Sequence, residues 1–374
     1  MPRRTSSAGG KQQRPSRALG RSRDVKSQLY AIEADGGEGD LDFGAAGSLH
    51  VSSLGKVFFP DAGITKGGLM RYYTHVWPVL EAHVRDRPLI LKRFPNGVGG
   101  PLFFQQNAGE HVPAGVRAES VGAKSRLIGG DLPTLLYTVQ LGAIEVHPWL
   151  SRVTDVDHAD RCVIDLDPGD DVDFAEVVRL TKAVVQLADN CRLPVAIKTS
   201  GARGMHVVIP LPARTSYDIS ATLATLMARV IAGRHRESAT VERSIRARPN
   251  GTIYVDAMQN ARGKSAASVY SVRPRPLASV STPVLPRELT ARLRIEAYTV
   301  GTVPARVVQM GDVWGEALAH RPSMSAVERA IKALEHVLDG APAVAKAPRA
   351  SRRITAGGAA GVGASRQRRS RRRS

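Results

Sequence analysis

Apolar residues recur every three or four positions between Lys66 and His83, through Leu69, Tyr72, Tyr73, Val76, Val79 and Leu80, which predicts a helix. The preceding stretch LHVSSLGKVFFP reads as extended chain closed by Pro60, so the folded part is expected to begin near Leu49. Residues 27–47, rich in Gly and Asp, read as linker. Next come a strand, a Gly-rich turn and a strand in PLILKRFPNGVGGPLFFQQ, then a helix from Leu132 to about Ala143 with Asp131 as its N-cap. Alternation is clearest at Cys162-Val-Ile-Asp-Leu-Asp167, a strand stopped by Pro168-Gly169. A helix from Phe174 to about Asn190 follows, then strands VAIKTS and MHVVIP joined by the turn GARG. A helix at 220–232, a strand at 252–256 and an extended, Pro-limited YSVRPRP at 270–276 come after, with helical patterns at 284–300 and 324–340. Strands and helices thus mix in an α+β manner, without repeats or heptads.

The chain of 374 residues has no run of about 18 apolar residues, which excludes a transmembrane helix. Its first residues lack the apolar stretch of a secretory signal, so a cytoplasmic location is expected. Two cysteines, Cys162 and Cys191, are too few for a disulfide framework or a structural zinc site. The formal charge of +19 is unevenly spread. Residues 1–26 hold eight Lys or Arg against one Asp, and 341–374 hold ten with no acid, leaving 27–340 close to neutral. Both ends, rich in Ser, Gly, Ala and Arg, are expected to be disordered basic arms that meet phosphate backbones.

Side chains two apart on a strand point the same way, so Asp165 and Asp167 project together roughly 7 Å apart. Such a pair repels itself unless a cation lies between, and hard divalent ions suit it. A third acid, Asp256, ends the strand in IYVDAMQN. Three carboxylates on neighbouring strand ends fit two-metal phosphoryl or nucleotidyl transfer. The acids Asp155, Asp157, Asp160, Asp170 and Asp171 read as solvated loop residues.

A DxD alone is also found in aspartyl-nucleophile phosphatases and sugar-nucleotide transferases. Its companion KTSGARGMHVVIP places hydroxyls, glycines, Arg203 and His206 on a strand-turn-strand, where backbone N–H groups and cations can cradle a triphosphate. Alone, that turn is equally an ordinary Gly-rich hairpin.

In combination, LGKVFFPDAGITKGGLMRYY, LKRFPNG, PLFFQQ, EVHPW, VIDLDPG, KTSGARGMHVVIP, YVDAMQN and KSAASVYSVR resemble the polymerase domain of bacterial ATP-dependent ligase D, of the archaeo-eukaryotic primase superfamily, over about residues 48–315. The resemblance implies a primase-type core of two small mixed or antiparallel, RRM-like sheets flanked by helices, with a separate helix at 316–340 and a tail at 341–374. It also implies extension of DNA ends or gaps in non-homologous end joining with two Mn²⁺ or Mg²⁺ ions, and a preference for ribonucleoside triphosphates. No KxDG ligase motif is visible, so a stand-alone, nucleoid-associated polymerase is expected, with Ku and a separate ATP-dependent DNA ligase as partners and no membrane.

Carried over motif by motif, Asp165, Asp167 and Asp256 match the metal-binding catalytic carboxylates. Lys92, Phe103, Phe104, His147, Ser200, Arg203, His206, Gln259 and Arg273 match nucleotide contacts. Lys56 and Lys66 match lysines that bind the 5′-phosphate of a DNA end. Arg203 stands where the family often has Lys, and RARPNGTIYVD runs one residue longer than the common pattern, which leaves the equivalent of an arginine near Arg248 open. On residue type alone His147 is equally a buried turn histidine, at least one of Phe103 and Phe104 is expected in the core, and Lys56 and Lys66 are indistinguishable from solvated lysines. The competing class is a non-catalytic DNA-end bridging module, which has no need of repelling carboxylates.

Overall fold

The computed structural model describes residues 18–340, with side chains from Val25 onward. The expected basic arms therefore fall largely outside the described residues. Helix α1 (Ala18–Ala34) opens the described chain, followed by the antiparallel pair β1 (Gly39–Asp42) and β2 (Ser48–Val51). This corrects the linker expected at 27–47 and the start expected near Leu49. Val25, Leu29 and Ile32 form a single narrow apolar stripe on α1, and Val25 and Leu29 are buried in the core. A stripe that thin in a charged segment escapes a periodicity reading.

The hairpin β3 (Val57–Phe59) and β4 (Ile64–Thr65) leads into α2 (Lys66–Val84), whose start is fixed by Thr65 Oγ1 accepting from Gly68 N at 2.9 Å. Its buried stripe includes Leu69, Tyr73, Val76 and Leu80, as the spacing predicts. A three-stranded antiparallel sheet follows, ordered β6-β5-β9, from β5 (Leu89–Arg93), β6 (Phe103–Gln105) and β9 (Ala143–Pro148). Between β6 and β9 lie the ribbon β7 (Ala118–Val121)–β8 (Lys124–Leu127) and α3 (Leu132–Gln140), capped by Asp131 accepting from Thr134 N at 2.6 Å.

The second half is a six-stranded mixed sheet ordered β13-β14-β10-β12-β11-β15. Its members are β10 (His158–Pro168), β11 (Ala196–Thr199), β12 (Met205–Ser216), β13 (Ala239–Thr240), β14 (Ile253–Asp256) and β15 (Pro283–Val284), with α4 (Phe174–Asn190) and α5 (Tyr217–Arg234) packed against it. Cys162, Ile164 and Leu166 fill the covered face of β10 and are fully buried. Burying Ile164 and Leu166 contributes about 1.5–3 kcal/mol each, enough to fix the register that turns Asp165 and Asp167 to the opposite face.

The chain ends in α6 (Val303–Met310), α7 (Val313–Ala319) and α8 (Met324–Asp339), the last matching the predicted helix at 324–340. The helix expected at 284–300 is absent: Pro283 and Val284 pair with β11, and two short 3₁₀ turns bring Leu289, Leu293 and Ile295 into the interior. Apolar spacing there reports burial by successive turns. No helix among the described residues is long and apolar enough to cross a membrane.

Candidate nucleotide-binding cleft

Four central strands of the large sheet carry one continuous row of polar side chains. Asp256 on β14 lies opposite Asp165 on β10, Asp165 opposite His206 on β12, and His206 opposite Lys198 on β11. His206 Nε2 stands 3.4 Å from Asp165 Oδ1, and Lys198 Nζ lies 3.0 Å from His206 Nδ1 and 2.7 Å from Ser281 Oγ. Burial, with the cations Lys198 and Arg273 close by, holds the His206 imidazole well below its usual range, so it is neutral. Lys198 is likewise pushed well down, first by burial and then by Arg273.

Burial and repulsion from Asp167 and Asp256 raise the Asp165 carboxyl to about 7. Asp167, two residues along, has Arg248 Nη1 at 3.6 Å, and that guanidinium also stacks 4.0 Å above the Tyr254 ring. Arg248 therefore reaches the carboxylates despite the longer loop before β14. Asp256 is held by Met258 N at 2.7 Å and by Tyr254 and Gln259.

The turn GARG closes over the end of this row. Ser200 Oγ accepts from Ala202 N at 3.1 Å and Gly204 N at 3.0 Å, which fixes the loop. Gly201 has a φ of +70° and Gly204 presses on β10: a Cβ there would lie 1.9 Å from the Leu166 carbonyl oxygen. Only glycine lets the turn approach so closely. Arg273 Nη1 donates to Ser200 O at 2.6 Å, and Arg203 pairs with Asp170.

The cleft above, about 580 Å³, is lined by Lys92, Phe104, His147, Asp165, Asp167, Ser200, Arg203, His206, Gln259 and Arg273, so these ten sequence-derived residues meet in one place. Phe103 does not line it. Phe103 and Phe104 are 53% and 65% exposed, which corrects the expectation that one would be core: β6 is an edge strand, and both rings stay largely open to solvent. Lys92 Nζ lies 5.8 Å from the Phe104 ring centre. Lys56 and Lys66 come together elsewhere, across the β3–β4 hairpin, where Lys66 N donates to Lys56 O. Lys66 is buried, its Nζ donating to Ser52 O at 2.9 Å, and burial plus the Lys56 charge lower it to about 8.

Sequence reasoning missed Glu145 and Lys198. Glu145, 1% exposed, bonds the His147 imidazole and pairs with Lys92 at 3.1 Å and Arg273 at 3.4 Å. Burial alone would raise its carboxyl, but the hydrogen bond from His147 and the two cations outweigh this and hold it ionised. Its signal was the two-residue spacing to His147 in EVHPW. Lys198 sits two residues before Ser200 in VAIKTS, so it shares that strand's face.

Among the described residues no three His, Cys, Asp or Glu side chains close round a metal ion by themselves. A hard ion that completes its shell with waters and substrate phosphates needs only one or two carboxylates. The charge gathered at Asp165, Asp167 and Asp256, all oxygen donors, fits such an ion.

Carboxylates on the floor of a cleft and cations on its wall define a site for polyanions. The LigD primase-polymerase domain profile matches residues 65–314. The multifunctional non-homologous end joining protein LigD of Pseudomonas aeruginosa is 30% identical over 291 residues, 76% of this chain and 34% of that protein. The bifunctional non-homologous end joining protein LigD of Bacillus subtilis is 29% identical over 264 residues, 70% of this chain and 43% of that protein. The solved polymerase domain of Mycobacterium tuberculosis ligase D, in complex with DNA, superposes with a TM-score of 0.67 at 27% identity, covering 73% of this chain and 99% of that domain. The chain belongs to the LigD primase-polymerase domain family. It spans well under half the length of the two relatives above.

Proposed function

We propose that this protein is a metal-dependent nucleotidyltransferase that adds nucleotides to DNA ends or gaps during non-homologous end joining, with ribonucleoside triphosphates preferred. The observation that carries the reading is the row Asp256, Asp165, His206 and Lys198 under the Ser200–Gly204 turn, which sets clustered carboxylates beside phosphate-sized donors. In this reading the primer 3′-hydroxyl attacks the α-phosphate of the incoming nucleotide and pyrophosphate leaves. Arg203, Arg273, the Ser200 hydroxyl and neutral His206 hold the triphosphate. Lys92 and Phe104 offer a charged and a stacking surface to the base or the template. Asp165, Asp167 and Asp256 are the residues that would hold two Mg²⁺ or Mn²⁺ ions. When bound, such ions lower the 3′-hydroxyl pKa and neutralise charge on the phosphates.

Lys56 and Lys66 form the pocket for a downstream 5′-phosphate. Ku and a separate ATP-dependent ligase are the partners this activity would need, and the nucleoid is where it would act. The deciding experiment is metal-dependent extension of a gapped duplex by the wild type, Asp165→Ala and Asp167→Ala. Loss of addition with DNA binding retained is expected. Full activity of the double variant, or an inert wild type that still bridges ends, would overturn the reading.

A further inference from the structure

Four residues before Asp165 on β10, Arg161 lines a separate cavity of about 250 Å³, together with His83, Arg152, Asp160, Asp312 and Arg321. Neighbours on a strand normally face opposite ways. Here a register shift between Ala159 and Arg161 lets both Asp160 and Arg161 border the same space.

Charge in this cavity does not balance. Asp160 accepts from Arg87 Nη2 at 2.7 and 2.5 Å, which uses the carboxylate in a close fork with a fully buried guanidinium. Arg152, Arg161 and Arg321 approach the same carboxylate only at 3.4, 3.8 and 3.8 Å, beyond or at the edge of hydrogen-bond contact. The other acid, Asp312, is taken by His83 at 3.1 Å, and burial keeps that imidazole's pKa low. Four arginines thus share two carboxylates.

Arg161 is the extreme case. Its side chain is 13% exposed and finds no hydrogen-bond acceptor among the described residues, although a guanidinium carries five donors. Burial and the charges of Arg87, Arg152 and Arg321 lower it to about 9, still protonated at neutral pH. A largely buried charge whose one counter-ion stands at 3.8 Å and is shared with three other arginines is costly, and an added anion is what relieves it. The planar forks of several arginines match the oxygens of a tetrahedral oxyanion. The volume lies below the roughly 300 Å³ of sites for larger ligands, so one phosphate group fits and a whole nucleotide does not.

We propose that this cavity is a second anion site, in which Arg161, Arg152 and Arg321 bind a doubly charged phosphate group, as the free ion or as the end of a phosphomonoester. It is distinct from the nucleotide cleft and does not depend on the reaction performed there.

Calorimetric titration tests it with inorganic phosphate and, separately, adenosine monophosphate as probes. Arg203→Gln serves as the background in which the nucleotide cleft is weakened. Saturable phosphate binding should persist in that background and weaken on the order of tenfold in Arg161→Gln or Arg321→Gln, the loss expected for one charge-assisted hydrogen bond. Arg321 is 45% exposed, so its replacement is a surface change and carries the test should Arg161→Gln fail to fold. Binding of both probes with the same dependence on Arg321 assigns a phosphomonoester end, and binding of inorganic phosphate alone assigns the free ion. Absence of saturable binding, or binding that Arg203→Gln removes and Arg321→Gln leaves intact, overturns the proposal.

Discussion

Lys198 Nζ lies 3.0 Å from Nδ1 of His206, and that single contact decides which nitrogen of the imidazole carries its proton. An ammonium or amine donating to Nδ1 makes it the acceptor, so the neutral ring keeps its hydrogen on Nε2, which faces Asp165. A buried lysine on β11, the fourth strand of the row, thereby aims a donor into the cleft from behind.

Lys198→Met removes that donor while keeping the length of the side chain. Turnover in primer extension should fall about tenfold, the cost of one misdirected hydrogen bond in a buried site. Lys198→Gln still offers an N–H to Nδ1 and should recover much of the rate. If both variants lose the same rate and the same melting temperature, Lys198 acts on stability alone.

The pair Lys56 and Lys66 should set a preference for 5′-phosphorylated over 5′-hydroxyl gaps. Lys66 is buried and starts α2, and its N donates to Lys56 O across the hairpin, so a phosphate at this corner would meet two ammonium groups. The preference is expected to be at least on the order of tenfold, and to vanish in Lys56→Ala/Lys66→Ala with little loss on simple primer-templates. Competition binding with labelled gapped duplexes measures it; equal wild-type affinity for both ends would remove the pocket.

Asp160 should make folding stability depend on acid pH. Burial raises its carboxyl, but Arg87 and Arg161 outweigh that and lower it from 3.8 to about 2. At about 1.4 kcal/mol per pH unit this corresponds to about 2 kcal/mol. A carboxyl depressed in the folded state stabilises fully above its unfolded value, and the effect fades as pH falls from about 4 towards 2. Denaturant melts of wild type and Asp160→Asn in phosphate-free buffer should therefore converge over that range, having differed above pH 5.

Deleting 1–17 and 341–374 removes five and ten basic residues and no acid. Binding to duplex DNA should then depend less steeply on salt, each lost phosphate contact reducing the log–log slope by roughly 0.9. The N-terminal limit stops short of α1, because its Glu33 holds Arg71 of α2 and Thr65 at the helix start. An unchanged slope would show that the arms leave the backbone alone, and turnover at saturating DNA should barely move.

The strand that carries the carboxylate pair was readable because alternation is strict over Ile164-Asp165-Leu166-Asp167 at the end of β10: one face must be apolar to be buried, and the other is left for chemistry. Asp165, Asp167, Ser200 and His206 followed from that pattern and from the glycines of the turn. Glu145 and Lys198 did not, since a buried charge is intelligible only with its partners, and those lie on other strands: Arg273 and Lys92 for the first, His206 and Ser281 for the second. The expectation that at least one of Phe103 and Phe104 is core fails because residue type says core, while an edge strand leaves both exposed. Helix α1 hid behind its charge, and 284–300 showed helical spacing in a segment that folds as separate turns.

The row from Asp256 to Lys198 takes one residue from each of four adjacent strands. What it conserves is parity. Apart from the tight Ser200–Gly204 turn, the loops between these strands can lengthen or shorten without moving the row, but shifting β14 by one position would present Val255 in place of Asp256, and losing one residue inside β12 would present Val207 or Met205 in place of His206. Variation in length is therefore free in the long connections and forbidden within the strands and the Ser200–Gly204 turn, so insertions in related chains should fall in those long connections and skip the paired segments.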